Sequence, residues 1–244
     1  MTLWDIFSLV KYITNKDFSG NVITPERFKE LIKVVNIDLF RNKYGLPEEY
    51  QPGKPIPKEY VEITLKNTDD LKAFKVYLTN VPVVNGKINY PSDYAHRDDV
   101  IFNFTIKINK VDTVLPRGVE ILRESQLSTR LGNYTKRPTL RMPCGAVRQD
   151  GIYIFPSKKS RPDLAETDVI TAVDFAYYRW PKDPVFNYVI GDGLITYDAA
   201  NSQEFEWPPD EHLTLCSMIL KYIGINLREE ALVQVANQKI ETGQ

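Results

Sequence analysis

The chain contains few side chains of the kinds that catalyse reactions or bind metal ions. Its two histidines are His96 and His212, and its two cysteines, Cys144 and Cys216, lie far apart with no Cys-x-x-Cys spacing. His96 lies in the stretch Ser92-Asp-Tyr-Ala-His-Arg-Asp-Asp, whose carboxylates would suit a metal ion. However, the ligand spacings of a structural zinc site are missing, and an Asp-rich turn before a strand is usually a solvated loop. We interpret His212 as a surface or helix-end histidine. The sequence therefore predicts no catalytic residue, no metal ligand and no cofactor, and hence a protein that is not an enzyme.

Two other classes of site are phosphate-binding loops and carbohydrate sites. Phosphate-binding signatures are absent, because there is neither a G-x-G-x-x-G after a strand nor a G-x-x-x-x-G-K-[ST]. The carboxylates of residues 162–212 could in principle pair for glycoside hydrolysis, and the aromatic residues between Tyr177 and Tyr188 could stack on sugars. Such aromatic clusters more often pack in the core or at the edge of a sheet. A carbohydrate-binding or glycan-degrading module is the alternative function, which a glycan array and a hydrolysis screen would test.

The net charge of −1 hides a strong asymmetry along the chain. Residues 107–161 carry 12 basic and 4 acidic side chains, whereas residues 162–212 carry 2 basic and 11 acidic ones. These segments can neutralise each other within one domain, or they can give a subunit suited to head-to-tail contacts and hence to rings. The basic candidates, which would face DNA or the next subunit, are Arg137, Arg141, Lys158 and Lys159. Sequence-specific readout of DNA is not expected, because no RNP, helix-turn-helix or zinc pattern accompanies them.

Length and composition indicate an ordinary globular protein rich in β-structure. A chain of 244 residues corresponds to one or two domains, and its 43% hydrophobic and 26% charged residues argue against disorder. The 16 prolines, 14 tyrosines and 11 phenylalanines favour strands and loops. The two distant cysteines fit a reduced cytosolic setting and exclude a disulfide framework. Neither a secretory signal nor an apolar run of about 18 residues is recognisable, so we expect no membrane span.

The N-terminal part, residues 1–46, is predicted to form a pair of helices. Thr2 caps the first helix, whose apolar side carries Leu3, Ile6, Phe7 and Val10. The second begins at Thr24-Pro25-Glu26, which combines a capping hydroxyl, a proline and an acid in the first turn. Residues 47–58 contain four prolines and are predicted to be an extended connector.

Residues 59–206 are predicted to form a mostly antiparallel β-sandwich or barrel. Asn85-Gly86 is typical of a type I′ hairpin turn. The pattern from Gly118 to Leu131 is ambiguous, because Val119, Leu122, Leu127 and Leu131 could also lie on a helix that ends at Gly132. The hairpin expected around Gly191-Asp-Gly193 ends this region. The predicted strands share alternating or β-branched apolar residues, and they are Tyr60–Lys66, Phe74–Leu78, Val100–Ile108, Pro138–Pro143, Gly151–Pro156 and Val169–Tyr178.

Residues 207–244 are predicted to form an αα-hairpin. Asp210 would cap its first helix, Gly224 would end that helix, and Asn226 would begin the second. Short amphipathic helices need something larger to pack against, so we expect this hairpin to cover its own β domain and to contact a neighbouring subunit. The apolar side of the second predicted helix carries the candidate interface residues Leu227, Leu232, Val235 and Ile240.

Three stretches of the sequence together resemble virion structural proteins of tailed bacteriophages that infect Bacteroidota, the crAss-like podoviruses among them. The first is Asn15-Lys-Asp-Phe-Ser-Gly with Thr24-Pro-Glu-Arg-Phe; the second is Glu124-Ser-Gln-Leu-Ser-Thr-Arg-Leu with Lys136-Arg-Pro-Thr-Leu-Arg-Met-Pro and Gly151-Ile-Tyr-Ile-Phe-Pro-Ser; the third is Glu204-Phe-Glu-Trp-Pro-Pro-Asp-Glu-His with Leu220-Lys-Tyr-Ile-Gly-Ile-Asn-Leu-Arg-Glu. The likeness runs from end to end and implies a non-enzymatic building block of the particle.

The resemblance implies a ring-forming subunit of the neck, the head-to-tail connector or the tail, assembled in the cytoplasm of the bacterial host. Its partners would be copies of itself in a cyclic ring, the portal and neighbouring neck or tail proteins, with possible passive contact with packaged DNA and none with a membrane. A third possibility is a host-takeover or chaperone-like factor made in infected cells, which proteomics of particles against lysate would separate. The expected fold class is α+β, with helices at both ends of a β-rich domain.

Overall fold

The computed structural model describes residues 1–14, 23–44, 69–108, 111–160, 163–165, 169–191 and 194–227, with the backbone alone at 106–108, 111–113, 194 and 225–227. The chain forms two compact units. The terminal unit is Met1–Phe74 with Trp180–Gln244, and the central unit is Lys75–Arg179. This division differs from the predicted β domain of residues 59–206, because residues 180–206 fold with the two ends of the chain.

The predicted N-terminal pair of helices is confirmed. Helix α1 spans Leu3–Thr14 and helix α2 spans Pro25–Tyr44. Thr2 and Asp5 cap α1 reciprocally: the Thr2 N–H donates to Asp5 Oδ2 at 2.7 Å, and the Asp5 N–H donates to Thr2 Oγ1 at 3.2 Å. The Arg27 N–H donates to Thr24 Oγ1 at 3.4 Å at the start of α2. The buried residues of α1 include the predicted stripe Leu3, Ile6, Phe7 and Val10.

The central unit consists of two four-stranded sheets and one helix. The first sheet has the order β1-β8-β3-β4 and is antiparallel throughout; its strands are β1 (Lys75–Pro82), β3 (Tyr94–Ile108), β4 (Val111–Gly118) and β8 (Ala172–Arg179). The second has the order β2-β7-β6-β5, with β5 and β6 parallel; its strands are β2 (Lys87–Ile88), β5 (Glu120–Ile121), β6 (Cys144–Arg148) and β7 (Gly151–Phe155). Helix α3 spans Glu124–Gly132, within the stretch whose sequence pattern is ambiguous but allows a helix.

Apolar side chains from both sheets share one core, which confirms a sandwich. The buried cluster includes Val100 and Phe175 from the first sheet and Ile88, Ile152 and Ile154 from the second. The described strands form open sheets rather than a closed barrel. A second, smaller cluster joins Leu127 of α3 to Cys144, Ala146 and Phe155, so α3 covers the other face of the second sheet. That sheet is therefore covered on both faces.

The predicted type I′ turn is confirmed by backbone angles. Asn85 has φ 54° and Gly86 has φ 75°, and both lie in the left-handed region that such a turn requires. Val84 and Lys87 exchange two backbone hydrogen bonds of 3.0 Å across it. A Cβ atom at position 86 would lie 2.5 Å from Ser157 Cβ. Both the turn geometry and the close approach of Ser157 therefore require glycine at position 86.

The predicted strand Pro138–Pro143 is wrong. Thr139 and Met142 form an isolated bridge across a turn, and the strand begins at Cys144. A proline has no N–H to donate to a sheet ladder, and here one stands at each end of the predicted strand. The sequence around Gln149-Asp150-Gly151 also predicts a turn, and a turn joins β6 and β7 there. The predicted strand Tyr60–Lys66 and the connector 47–58 lie outside the described residues.

Among its described residues, the terminal unit also contains a β-hairpin and the C-terminal helix. Strands β9 (Tyr188–Gly191) and β10 (Leu194–Tyr197) form the predicted antiparallel hairpin. The hairpin and the segment before it join an aromatic core: Phe186 lies 5.2 Å from Phe7 and 5.1 Å from Phe28 between ring centroids, and Tyr197 lies 6.0 Å from Trp4. These contacts explain why residues 180–206 fold with the helices.

Two predictions about the C-terminal helix are wrong. Helix α4 spans His212–Leu227 and continues through Gly224, which does not end it. Asp210 lies in a short 3-10 turn, Pro209–Glu211, whose N-cap is Pro208 and has no side-chain capping bond. A glycine inside a helix costs only about 1 kcal/mol, which the burial of Ile219 and Ile223 on α4 offsets. The second helix of the predicted αα-hairpin, with Leu232, Val235 and Ile240, lies outside the described residues, and of Leu227 only the backbone is described.

Candidate assembly surfaces

Strands β3 and β4 continue as a two-stranded arm after the sheet ladder to β8 has ended. The ladder between β3 and β8 runs from Tyr94 to Ile101, whereas the ladder between β3 and β4 runs from Ile101 to Ile108. We define the arm as residues 102–108 and 111–117. At about 3.4 Å per residue, the seven steps from Ile101 to Ile108 extend for roughly 24 Å. From Phe102 onward, the ladder partners of β3 lie on β4 alone.

The arm has one apolar face, which is covered only near its base. Phe104 is paired with Leu115, and both side chains are half-buried. Phe102 packs against the sandwich core, and its ring centroid lies 6.3 Å from that of Phe104. In the sequence the same alternation continues toward the tip with Ile106 and Ile108. A two-stranded ribbon is at best marginally stable in water by itself, and the packing of Phe102 on the sandwich core supports the base of this one.

The opposite face of the arm carries shorter and more exposed side chains. It presents Asn103, Thr105 and Val114, and Val114 is 57% exposed. Thr105 is paired with Val114 in the ladder. Positions 104 and 105 are neighbours in the chain but lie on different faces of the arm, so the same substitution enters a half-buried site at 104 and an exposed site at 105.

Asp174 of β8 fastens the base of the arm to the sheet. Its carboxylate accepts hydrogen bonds from the Asn80 N–H at 2.8 Å, the Tyr77 hydroxyl at 3.1 Å and the Asn103 side-chain amide at 2.8 Å. The bond from the Asn80 backbone lowers the pKa of Asp174 most, the bonds from Asn103 and Tyr77 lower it further, and burial opposes the shift. Asn80 lies in an irregularity of β1 with φ 56°. The carboxylate thus links β1, β8 and the arm.

Several basic side chains of the central unit are engaged within it. Arg148 forms two hydrogen bonds with the Glu124 carboxylate, of 2.6 and 3.1 Å, and its guanidinium lies 4.3 Å from the centre of the Tyr153 ring. Arg130 pairs with Glu120. Part of the positive charge of residues 107–161 is therefore neutralised by acids of the same segment, and its neutralisation by residues 162–212 stays a prediction.

The four predicted basic candidates all lie in the central unit, at the same end of the β6–β7 ladder. Arg137 and Arg141 precede Cys144, which is paired with Phe155, and Lys158 and Lys159 follow that phenylalanine. Arg141, Lys158 and Lys159 are exposed, and Lys159 lies 5.6 Å from the centre of the Tyr153 ring. Arg137 is half-buried over Tyr134 at 5.3 Å. The exposed members can meet an anionic partner.

A polar cluster in the terminal unit contains the side chains most suited to chemistry. The Lys43 ammonium lies 2.8 Å from Asp70 Oδ2 and 2.8 Å from Glu211 Oε1. Burial by itself would lower the pKa of Lys43, but its bonds with Asp70 and Glu211 outweigh burial and raise that pKa. Lys43 therefore stays protonated, and it neutralises a Glu211 side chain that is only 11% exposed. This arrangement is a paired structural cation rather than a general base.

His212 is the first residue of α4, as the helix-end interpretation expected, but it is buried, so its interpretation as a surface residue is wrong. Its Nε2 lies 3.2 Å from the Trp207 carbonyl oxygen, and its Nδ1 is buried with no hydrogen-bond partner among the described residues. Trp207 in turn donates from Nε1 to Asn36 Oδ1 at 2.8 Å. The histidine thereby helps to fix the start of α4 against the Trp207 loop. Sequence pattern could not reveal this, because the burial depends on distant contacts.

Both cysteines are buried, and His96 lies in strand β3. Cys144 and Cys216 are free and buried, and burial raises the thiol pKa of Cys144 and raises that of Cys216 to about 11. Both are therefore thiols rather than thiolates at neutral pH. His96 lies on β3 in register with Tyr178, and burial lowers its pKa. Within the described ranges, no three His, Cys, Asp or Glu side chains are grouped so as to hold a metal ion.

The aromatic residues considered as a sugar platform are mostly core residues. Tyr177 and Tyr178 of β8 are 3% and 5% exposed, and Phe186 is fully buried. Tyr188 bonds to Glu26 through its hydroxyl, and the Lys29 ammonium lies 4.7 Å from the centre of its ring. Tyr177, Tyr178 and Phe186 therefore present no open ring face on which a sugar could stack.

The chain was compared with protein-family models and with curated proteins, and neither comparison gives a match. The surfaces described above are therefore interpreted from their physical properties. No helix in the described part of the chain has the length and apolarity that crossing a membrane requires. The sequence analysis did not predict the arm. The sequence does carry one signal for it, because the apolar alternation of Val100–Ile108 continues beyond Ile101, where the pairing of β3 with β8 ends.

Proposed function

We propose that the chain is a non-enzymatic virion subunit of a tailed bacteriophage, which forms a ring in the neck, the head-to-tail connector or the tail. The observation that carries this proposal is the division of charge between the two compact units. The central unit carries 16 basic and 11 acidic side chains, a net charge of +5, and the terminal unit carries 15 basic and 21 acidic ones, a net charge of −6. The sequence resemblance to phage virion proteins points to the same class.

Opposite charges on two units of one chain favour head-to-tail association of copies. In a heterologous contact the basic unit of one copy binds the acidic unit of the next, and every added copy again offers one free unit of each sign. Such a series closes into a ring when the rotation between copies divides a full turn. Complementary charge also steers the encounter and disfavours contacts between like units.

The side chains that could do chemistry act in this fold as structural contacts. Lys43 is held between two carboxylates, and the thiols of Cys144 and Cys216 are buried with raised pKa values. These arrangements support a role in binding other proteins. Candidate partners are copies of the same chain, the portal and neighbouring neck or tail proteins.

Passive contact with packaged DNA is compatible with the exposed basic group. Arg141, Lys158 and Lys159 are exposed at one end of the β6–β7 ladder. Contacts with phosphates would depend on salt and would be independent of sequence. The same side chains could instead meet the acidic unit of the next copy, and a DNA-binding titration of the isolated subunit and of the assembled ring would separate the two roles.

The test is the mass of the full-length protein in solution, measured by mass photometry as a function of sodium chloride. We expect one closed oligomer at low salt and its dissociation as salt is raised, because exposed charges are screened over about 8 Å at physiological ionic strength. Mass spectrometry of purified phage particles is the second arm. A chain that stays monomeric at every salt and protein concentration, or is absent from particles but present in lysate, would contradict the proposal.

A further inference from the structure

We infer that two basic loops of the central unit form a binding site for the phosphate backbone of duplex DNA. We define the basic loops as residues 133–143, which join α3 to β6, and residues 157–160, which follow β7. The inference rests on the proposed function, because packaged DNA is the duplex that a virion subunit would meet. Of the two roles compatible with these exposed side chains, contact with DNA and contact with the acidic unit of the next copy, the structure of the loops favours DNA.

The two basic loops lie side by side at one end of the second sheet. Cys144 begins β6 and Phe155 ends β7, and these two residues are paired in the antiparallel ladder. Residues paired in this way lie about 5 Å apart between their Cα atoms. The loop before Cys144 and the loop after Phe155 therefore start from adjacent points of the same compact unit, and one extended ligand can contact both.

The basic loops concentrate positive charge and contain no carboxylate. Glu120, which is in register with Cys144 on the neighbouring strand, is already paired with Arg130. All basic side chains of the loops are exposed except that of Arg137, which is half-buried. The loops carry five basic side chains, Lys136, Arg137, Arg141, Lys158 and Lys159, and no acidic one. Every ionised side chain of the loops therefore attracts an anionic polymer.

Hydrogen bonds order the loops before a ligand arrives. Two backbone hydrogen bonds of 3.0 and 3.4 Å close the turn 139–142 around Arg141. The N–H and the hydroxyl of Ser160 donate to the Ser157 carbonyl at 3.2 and 2.9 Å, and these bonds close the turn that contains both lysines. A surface that is ordered in advance loses less conformational entropy on binding.

The composition of the loops favours DNA over an acidic protein surface. Lysine is depleted in protein–protein interfaces, whereas protein–DNA interfaces are much more positively charged, and three of the five basic side chains here are lysines. Tyr134 is 86% exposed, and the Arg137 guanidinium lies 5.3 Å from the centre of its ring. Arginine, lysine and the tyrosine hydroxyl are common donors to phosphate oxygens. Such contacts carry no base-specific information, so binding should be independent of sequence.

The first experiment measures the affinity of the full-length chain for short random-sequence DNA duplexes as a function of sodium chloride. It compares two variants that lose the same charge from exposed positions. The test variant changes the basic loops by Lys136→Gln, Arg141→Gln and Lys159→Gln. The control variant changes the terminal unit by Lys33→Gln, Arg41→Gln and Lys72→Gln.

The wild-type affinity should fall steeply with salt and be the same for duplexes of different sequence. Each lost phosphate contact lowers the slope of log affinity against log salt by about 0.9, so we expect the test variant to lower it by about 2 to 3. Its affinity at physiological salt should fall roughly 30- to 300-fold, and that of the control less than about threefold. If the test variant melts at a lower temperature, its three single substitutions replace it, each lowering the slope by about 0.9. Equal effects of test and control variants, or no binding by wild type at low salt, would overturn the inference.

The second experiment measures the mass of the same variants without DNA. We expect the test variant to lose much less self-association than DNA affinity, because the proposed ring contact uses the charge of the whole unit and the DNA contact uses that of the loops. A test variant that binds DNA like wild type but no longer self-associates would overturn the inference and leave the proposed function standing. A wild-type chain that binds DNA through the loops but stays monomeric would contradict the proposed function and leave the DNA site standing.

Discussion

Two β-hairpins of the central unit, β6–β7 and the arm, have similar apolar alternation but opposite surroundings. In β6–β7, Ile152 and Ile154 enter the sandwich core, while Cys144, Ala146 and Phe155 lie under α3. The arm has one apolar face, and only its base touches the core. The first hairpin is therefore stabilised within its own unit, whereas Phe104 and Leu115 of the arm are only half-buried. Alternating apolar residues indicate a strand. The elements that pack against the strand determine whether its apolar face is buried within the unit.

The largest difference between the hairpins should appear in the free energy of unfolding. Ile154→Ala removes three methyl or methylene carbons from a fully buried site and should cost about 2–5 kcal/mol. Phe104→Ala in the arm should cost less than about 1 kcal/mol in the monomer, because its side chain is only half-buried. Urea denaturation at low protein concentration measures both. Similar losses for the two variants would show that the arm is part of the folded core.

A smaller but still clear loss is expected at the turn that leads into the second sheet. Gly86→Ala adds a Cβ 2.5 Å from Ser157 Cβ at a residue with φ 75°. We expect a loss of about 1–3 kcal/mol in the free energy of unfolding. The control is Gly132→Ala, because a Cβ there meets nothing within 4 Å. If both variants unfold at the same urea concentration, the described turn geometry is wrong.

The hydrogen bonds of Asp174 at the base of the arm should make a modest, pH-dependent contribution to the free energy of unfolding. Asp174→Ala removes three hydrogen bonds to a partly exposed carboxylate and should cost about 1 kcal/mol. Because the folded-state pKa lies below the ordinary value of 3.8, the contribution is fully present above that value and is lost as pH falls through the lower folded pKa. Thermal unfolding of wild type and Asp174→Ala should therefore converge in acid. A constant difference at all pH values would contradict this account.

The smallest effect on folding is expected at the C-terminal stripe, where assembly is the sensitive readout. Leu232→Asp with Val235→Asp should disrupt incorporation into particles if the stripe is a contact, because a carboxylate buried without a partner is costly. Unchanged incorporation of the double variant would assign assembly to other surfaces.

Several local signals in the sequence predict the structure correctly. The reciprocal cap of Thr2 and Asp5 and the turn at Asn85-Gly86 depend on residues close in the chain, and both were predictable. Gly224 shows the limit of such signals, because α4 continues through it once its neighbours are buried. A local stop signal worth about 1 kcal/mol is overridden by tertiary packing.

The division into units and the candidate interface could not be read from the sequence, because both depend on distant contacts. Phe186 packs between Phe7 and Phe28, which are more than 150 positions away, and this packing moves residues 180–206 out of the predicted β domain. The arm is defined by where β8 stops pairing with β3, a property of two strands that no single stretch displays. Arg141, Lys158 and Lys159 are exposed, and their role as contact residues stays a prediction.

The two strands of the arm have their roots in different layers of the sandwich. β3 continues into the first sheet, whereas β4 passes through Gly118 to buried Val119 and then into β5 of the second sheet. The Val119 N–H donates to the Val100 carbonyl at 2.8 Å, at the point where β3 continues in the first sheet and the chain after β4 enters the second. A pull along the arm would thus be shared between both layers and would have to shear their common core rather than unzip one edge strand. Such an anchorage suits a joint that must hold while mechanical tension acts on it.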